Sequence, residues 1–329
     1  MSFAKIVSTG VYVPEKVVTN DDLSRILGED INEFVTTVLG IHERHVCAAN
    51  ESTADLATNA ARQALEAARL DAAELDLIIL ATDTPEQLSP ATSVVVQHRL
   101  GAVNAGTFDV NCACAGFVTA LDTASKFIIA DSAYRNVLVV GAYAISKYLD
   151  LHDKKTATIF ADGAGAVVLQ AGDQQPGFLA GQLRADGSFH DHMGIYAGGT
   201  RLPITQEVID EGIWNKVRFA KKYPAEVNTE GWPAIIQQVL DKSRLTLSDI
   251  KLFLFTQVNL STIKEVMSKL ALPMERTHTI MHKWGYTGSA CIPMVLHDAV
   301  GAGKLKPGDN VIMCASGGGL NMACVAFRW

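Results

Sequence analysis

The sequence predicts an α/β fold made of two duplicated halves, each a mostly parallel or mixed sheet covered by helices, with further helices shared between the two sheets. Three observations lead there. Strand-like and helix-like stretches alternate along the chain, the pattern of layered α/β domains. The first half returns in the second at a nearly constant offset: Leu252–Thr256 (LFLFT) follows Leu77–Ala81 (LIILA) by 175 residues, Ser289 follows Cys114 by 175, and Asn310–Cys314 follows Asn136–Val140 by 174. An offset held over several elements marks an internal duplication. The chain of 329 residues, 48% of them hydrophobic, is also large enough to bury the core of two such halves. The expected division is 1–172 and 173–329.

The elements follow in order. Lys5–Val13 is a strand ending at Pro14, and Asn20-Asp21-Asp22 caps a helix running through Leu27. Asp30–Leu39 is a second short helix, stopped by Gly40, with Ile41–Val46 extended behind it. Ser52–Ala68 is an amphipathic helix with Leu56, Ala60, Ala61 and Leu65 on one face. Leu75–Thr82 is almost wholly apolar, as a strand buried on both faces is. A helix from Ser93 to Leu100, a strand over Thr107–Val110 and a helix from about Ala115 come next, then strands over Asn136–Gly141 and within Thr158–Gln170. In the second half Ser261–Leu270 is a helix, Thr277–His282 a strand, Ile292–Val300 a helix and Met322–Phe327 a strand. Gly172–Gly231 departs from the repeat: it is polar and Gly-rich, with Lys216, Arg218, Lys221 and Lys222 close together. Beside Lys154 and Lys155 they form either a solvated helix face or a local basic face for a phosphate or an acidic carrier.

The chemistry points to the strand–turn–helix around Asn-Cys-Ala-Cys-Ala-Gly116. Cys112 belongs to the strand end, whereas Cys114 stands at the helix start among small residues and is the candidate nucleophile. Unpaired N–H groups and the helix dipole there favour thiolate and predict a lowered thiol pKa. The same amides are placed to hold an oxyanion. A buried packing cysteine is the competing reading.

Composition narrows the function further. A net charge of −7 argues against general nucleic-acid binding. No apolar run of 18 residues is read, hence no membrane span is expected. Six cysteines without paired spacing, and an N-terminus that runs straight into a strand, predict a reducing, cytoplasmic setting. Cys112-x-Cys114 is too close for a zinc knuckle, and His190-Asp-His192 reads as a solvated loop, so no metal is expected.

Cys114-Ala-Gly-Phe117, Asp162-Gly-Ala-Gly-Ala-Val-Val168, Gly40-Ile-x-Glu-Arg-His45 and Gly317-Gly-Gly319 near a C-terminal Phe-Arg-Trp together resemble β-ketoacyl-ACP synthase III enzymes of the thiolase superfamily over essentially the whole chain. The resemblance implies a thiolase-like fold in five layers, αβαβα, and a homodimer in which Ser89 falls where the partner closes the acyl pocket. It implies Cys114 as the acyl-accepting nucleophile and Gly318, with the Cys114 N–H, as the oxyanion hole. It places Phe34 and Lys154 where the adenine of coenzyme A is held, and Asn259 within a cofactor-contacting motif. Acyl-CoA or acyl-ACP enters as substrate, with no permanently bound cofactor.

Two positions depart from the family. Thr256 stands where its catalytic His is found, in Phe255-Thr-Gln-Val-Asn-Leu260, and Tyr286 stands where its catalytic Asn is found, in Gly285-Tyr-Thr-Gly288. Thr256 cannot carry positive charge, and Tyr286 offers one hydrogen bond from a much larger side chain. His282, four residues before Tyr286, is a candidate base for Cys114; closing a strand is its alternative role. The expected activity is acyl-thioester transfer or condensation through an acyl-Cys114 intermediate, an acyltransferase of lipid or secondary metabolism. The alternatives are decarboxylative condensation with malonyl-ACP, as in fatty-acid initiation, and a non-catalytic partner subunit. Leu88, Val94, Phe117, Leu202 and Ile204 are expected along an apolar acyl pocket.

Overall fold

The structure, a computed structural model, describes residues 3–329. The first half contains β1 (Phe3–Tyr12), β2 (Lys16–Thr19), α1 (Asn20–Leu27), α2 (Asn32–Phe34), β3 (Glu43–Val46), α3 (Thr53–Ala68), β4 (Leu77–Ala81), α4 (Thr92–Leu100), β5 (Gly106–Val110), α5 (Gly116–Ala130), β6 (Asn136–Tyr143), α6 (Lys154–Ala157) and β7 (Gly163–Gly172). The second contains β8 (Phe178–Ala185), β9 (Met193–Ile195), α7 (Gln206–Asp210), β10 (Val217–Phe219), α8 (Glu226–Ser243), β11 (Ile250–Phe255), α9 (Leu260–Lys269), α10 (Met281–Trp284), α11 (Cys291–Gly301), β12 (Asn310–Gly317) and β13 (Asn321–Arg328).

Local chemistry sets the ends of these elements. Thr19 caps α1 in a reciprocal box with Asp22, and Ser52 does the same for α3 with Asp55. Gly28 and Gly40 close their helices in left-handed conformation. β4, β5 and β6 run parallel, and β7 and β1 complete the first sheet antiparallel, in the order β1-β7-β6-β4-β5. The second sheet, β11-β12-β13-β8, repeats that order read from the other end but lacks one edge strand. The missing strand is where Thr277–His282 was expected. Thr277 makes a single bridge to Phe253, and Met281–Trp284 is a short helix instead. The amide of Gln257 takes up the backbone of this segment: Oε1 accepts from Ile280 N at 2.9 Å, and Nε2 donates to the carbonyl of Phe255 at 2.8 Å. The basic stretch at 216–222 is not a helix face either, because β10 and the following loop hold it.

Three apolar clusters give five layers. One lies under α3, against Ile78, Leu80, Leu138, Val140 and Ala166. A central one joins Phe117, Leu121 and Ile128 of α5 to Ile292, Val295 and Leu296 of α11, between the two sheets. The third packs Trp232, Ile236 and Val239 of α8 and Ile263 of α9 onto the far face of the second sheet. Ala113–Ala130 is apolar enough to cross a membrane by length and composition alone, with mean hydropathy 1.3 over 18 residues, but 61% of it is buried inside the protein, where it serves as the central helix.

Candidate active site

The parallel strands aim their carboxyl ends at one edge of the first sheet, the place where α/β sheets collect ligand-binding residues. Asp83, Ala113 and Cys114 follow β4 and β5 there. Asn111 Oδ1 accepts from Ala113 N at 3.2 Å, and Ala113 is held at φ 46°, an unusual value for a residue with a side chain. Cys114 then occupies a single 3-10 turn, Ala113–Ala115, that feeds directly into α5. Its duplicate, Ser289, occupies the equivalent turn, Gly288–Ala290, ahead of α11.

Thr256, Tyr286, Ser316, Gly318 and Asn228 join Cys114 around a cavity of about 160 Å³. Each side chain is fixed from behind. Thr256 Oγ1 accepts from Ser316 N at 3.0 Å, and Ser316 Oγ donates to Asn228 Oδ1 at 2.8 Å. Tyr286 is buried, stacked on Phe160 with ring centroids 5.6 Å apart, and its backbone is tied to Ile159 and Ala161. Gly317 lies so close to the nucleophile turn that a Cβ there would sit 2.8 Å from Cys114 N and closer still to the Cys112 carbonyl. Glycine is required by that approach. Tyr223 sets its buried hydroxyl beside Gly319.

The thiol is not activated at rest. Burial pushes the Cys114 pKa well above the ordinary thiol range, and the nearby Asp83 and Cys291 push it further; the Tyr286 hydroxyl, directed at the sulfur, and the Cys114 amide pull the other way. The expected lowering by the helix start is therefore overturned: desolvation outweighs the local amides. Asp83 is itself pushed up to about 6 by burial. Its Oδ1 is buried without a hydrogen-bond partner among the described residues.

A larger cavity of about 600 Å³ adjoins this one. Phe34, Lys154, Lys155, Lys221 and Lys222 line it, and Phe219 and Tyr223 line both. Phe34 is 51% exposed, its ring free for a ligand to cover. Lys154 meets Glu29 at 2.9 Å and Lys221 meets Asp191 at 2.5 Å.

Other expected residues lie elsewhere. Asn259 caps α9, its Oδ1 accepting from Ser261 N at 2.8 Å and Thr262 N at 3.3 Å. His282 does not line the Cys114 cavity. It sits on α10, its carbonyl accepts from His42 N, and burial together with Lys283 lowers its pKa. The structure therefore does not bring His282 to the sulfur. Phe117 is in the central core, while Leu88, Val94 and Ile204 are exposed, and neither these nor Leu202 line the Cys114 cavity. Asp83, Tyr223, Asn228 and Ser316 escape the sequence reading. A carboxylate directly after an all-buried strand, in LIILATDT, is the signal that marks Asp83.

A cysteine at a strand–helix turn between the two sheets of a duplicated α/β fold marks the thiolase-like class. The comparisons place the chain within it. Residues 108–187 match the model for 3-oxoacyl-(acyl-carrier-protein) synthase III, and 240–329 match the model for its C-terminal part. The beta-ketoacyl-(acyl-carrier-protein) synthase III of Syntrophomonas wolfei is 37% identical over 325 residues, covering 99% of this chain and 97% of the relative. That of a Roseiflexus species is 39% identical over 332 residues, covering 100% and 99%. The crystal structure of the Aquifex aeolicus synthase III superposes with a TM-score of 0.89 at 35% identity, covering 99% of this chain and 100% of that one. The chain belongs to the synthase III family and is an enzyme, a condensing acyltransferase of that family.

Proposed function

We propose that this enzyme takes an acyl group from an acyl-CoA or acyl-ACP thioester onto Cys114 and passes it to a second substrate. The observation that carries this is the adjacency of two cavities: a basic mouth flanked by the Phe34 ring lies beside the inner cavity that holds Cys114, with Phe219 and Tyr223 lining both. The mouth suits a phosphate-bearing carrier, with its lysines as point charges and Phe34 as a stacking surface. In this reading Lys154 and Phe34 hold the carrier, and Asn259 contributes by fixing the start of α9 beside Thr262.

In the first step the Cys114 sulfur attacks the thioester carbonyl. The new C–S bond forms first, giving a tetrahedral intermediate, and its collapse breaks the old C–S bond, the thiol proton leaving on the departing carrier thiol. The Tyr286 hydroxyl stabilises the sulfur as its proton is lost. The carbonyl oxygen, negative in the tetrahedral intermediate, is held by the N–H groups of Cys114 and Gly318. Because the resting thiol is neutral, proton removal accompanies attack rather than preceding it.

The second step runs in a cavity whose polar side chains beside the sulfur are hydroxyls and one amide, from Thr256, Tyr286, Ser316, Tyr223 and Asn228. Among the described residues, no side chain lining it carries a positive charge. This supports transfer to an acceptor that needs no enolate stabilisation by imidazolium. A second reading, decarboxylative condensation with malonyl-ACP using Thr256 and Tyr286 in place of the family's His and Asn, is favoured by the family itself.

Intact-protein mass after mixing with a panel of acyl-CoAs tests the nucleophile. Wild type is expected to gain one acyl mass and Cys114→Ala none; an acyl mass on Cys114→Ala, or none on wild type, overturns the proposal. Adding malonyl-ACP then separates the two readings, since release of CO2 with a β-ketoacyl product supports condensation and a persistent acyl-enzyme supports another acceptor.

A further inference from the structure

A third cavity, of about 240 Å³, shares Met193 and Gly318 with the Cys114 cavity and none of the residues that line the mouth. It holds roughly eight water volumes, enough for a short acyl group. Its walls mix apolar residues, Ile145, Ile195 and Val217, with Asp83, Asn111, His190 and Tyr143. The basic mouth meets the Cys114 cavity along Phe219 and Tyr223, and this recess meets it along Met193 and Gly318.

Asp83 is the feature a hydrocarbon chain does not explain. Its position is fixed, not incidental. Thr84 N donates to Thr82 Oγ1 at 3.1 Å, Ala144 N to Thr84 Oγ1 at 2.9 Å, and Thr82 N to the Val110 carbonyl at 3.1 Å. The carboxylate between these two anchored threonines has Oδ1 buried and unpartnered, and Asp83 forms no ion pair among the described residues. No lysine or arginine among the described residues lines the recess. A buried acceptor left unpaired costs free energy that a ligand donor recovers.

We propose that Asp83, on the wall of this recess, selects acyl groups on Cys114 that bear a hydrogen-bond donor, a hydroxyl or an ammonium, over plain alkyl or anionic groups of the same length. This rests on the acyl-Cys114 reading for its orientation, and Asp83 is a specificity residue rather than a participant in bond making.

The test compares butyryl-, 3-hydroxybutyryl-, 3-aminobutyryl- and succinyl-CoA as acyl donors, following the rate of Cys114 acylation by intact mass. Wild type is expected to favour a donor-bearing group over butyryl by at least about tenfold, since sites built for hydrogen bonds reject analogues that lack them, with succinyl slowest. Asp83→Val is expected to reverse the order in favour of butyryl. Asp83→Asn, which keeps the shape and an acceptor oxygen but not the charge, is expected to retain the hydroxyl preference and lose the ammonium preference. The same order of rates in wild type and in both variants overturns the proposal. Dissociation constants of the same four thioesters for Cys114→Ala separate this from the covalent reading. A donor preference there, with no acylation of wild type, sustains the recess while the acyl-enzyme falls; equal constants across the four overturn the recess.

Discussion

Asp83 bears on the charge of Cys114. The carboxylate beside the thiol disfavours thiolate, and burial disfavours both charges. Replacing Asp83 by Asn removes one negative charge and is expected to lower the pH at which Cys114 is alkylated by iodoacetamide, read as the midpoint of the rate against pH. An unchanged midpoint contradicts the coupling. The same variant bears on stability, and the sign is fixed. The Asp83 carboxyl is raised in the folded state, to about 6, so the folded protein holds this proton more tightly than the unfolded chain. The stabilisation is complete below the ordinary carboxylate range and is lost as pH rises through about 6. Above that, burial of the charge costs on the order of 3 kcal/mol. Asp83→Asn should therefore melt higher than wild type at pH 8 and lose that advantage by pH 4; an equal difference at both would refute the burial argument. Cys114 was legible in the sequence because a thiol at a strand–helix junction among small residues has a local signature. Its raised pKa was not, because the desolvation and the Asp83 charge come from elements distant in the chain.

At the scale of the element, the turn before α5 depends on β12. Gly317 gives its missing side chain to the approach of Cys114 N. Gly317→Ala is expected to move the turn, slow acylation by at least about a hundredfold as a small misplacement at a reacting centre does, and destabilise by roughly 1–3 kcal/mol as overpacking does. Wild-type acylation in that variant, with unchanged denaturant midpoint, would show that the turn has room. The helix α3 offers a contrast, since Ser52 bonds Asp55 and Glu86, neither of which lines the Cys114 cavity: Ser52→Ala should cost about 1 kcal/mol and leave the acylation rate alone, in denaturation and mass measurements made together. Helices such as α3 and strands such as β4 were readable from periodicity and caps. The segment after Thr277 was not. Its apolar and β-branched residues suggest a strand, but the amide of Gln257 occupies the backbone groups that strand pairing would have used. A side chain twenty or so residues away leaves no mark in the local pattern.

Across the whole molecule, the duplication visible as a constant offset becomes two sheets closing on α5 and α11. The contact is intimate where glycine permits it: a Cβ on Gly165 would lie 2.7 Å from Pro293 Cβ and 2.9 Å from Met294 N. Gly165→Val is expected to yield little soluble protein, or protein with a thermal midpoint lowered by many degrees, because it separates layers that every other core contact assumes are closed. A wild-type melting profile would show that the central layer yields. The basic mouth is likewise a property of the assembled molecule, since Phe34, Lys154 and Lys222 come from widely separated segments. Lys154→Glu with Lys222→Glu should weaken acyl-CoA binding and flatten its dependence on salt, while leaving the melting temperature near wild type; unchanged affinity would remove the mouth from carrier recognition. In the sequence these lysines stand as separate charged runs; a shared basic face is one of two readings there, and the structure lines one cavity with Lys154, Lys155, Lys221 and Lys222.

The strand that the second sheet lacks leaves the edge of β11 to the segment after it, where Thr277 bridges to Phe253 and its Oγ1 donates to the Phe253 carbonyl at 2.7 Å, and this bears on how the protein meets its own copies. An unpaired strand is a template for another chain. Here Arg276 donates to the carbonyls of Ile250 and Leu247, and Lys251, Lys304 and Lys306 border the same groove. With the Thr277 segment over the edge and these charges, interspersed with Asp249, Glu275 and Asp309, around it, the unfinished sheet offers a second chain few free backbone groups to pair with.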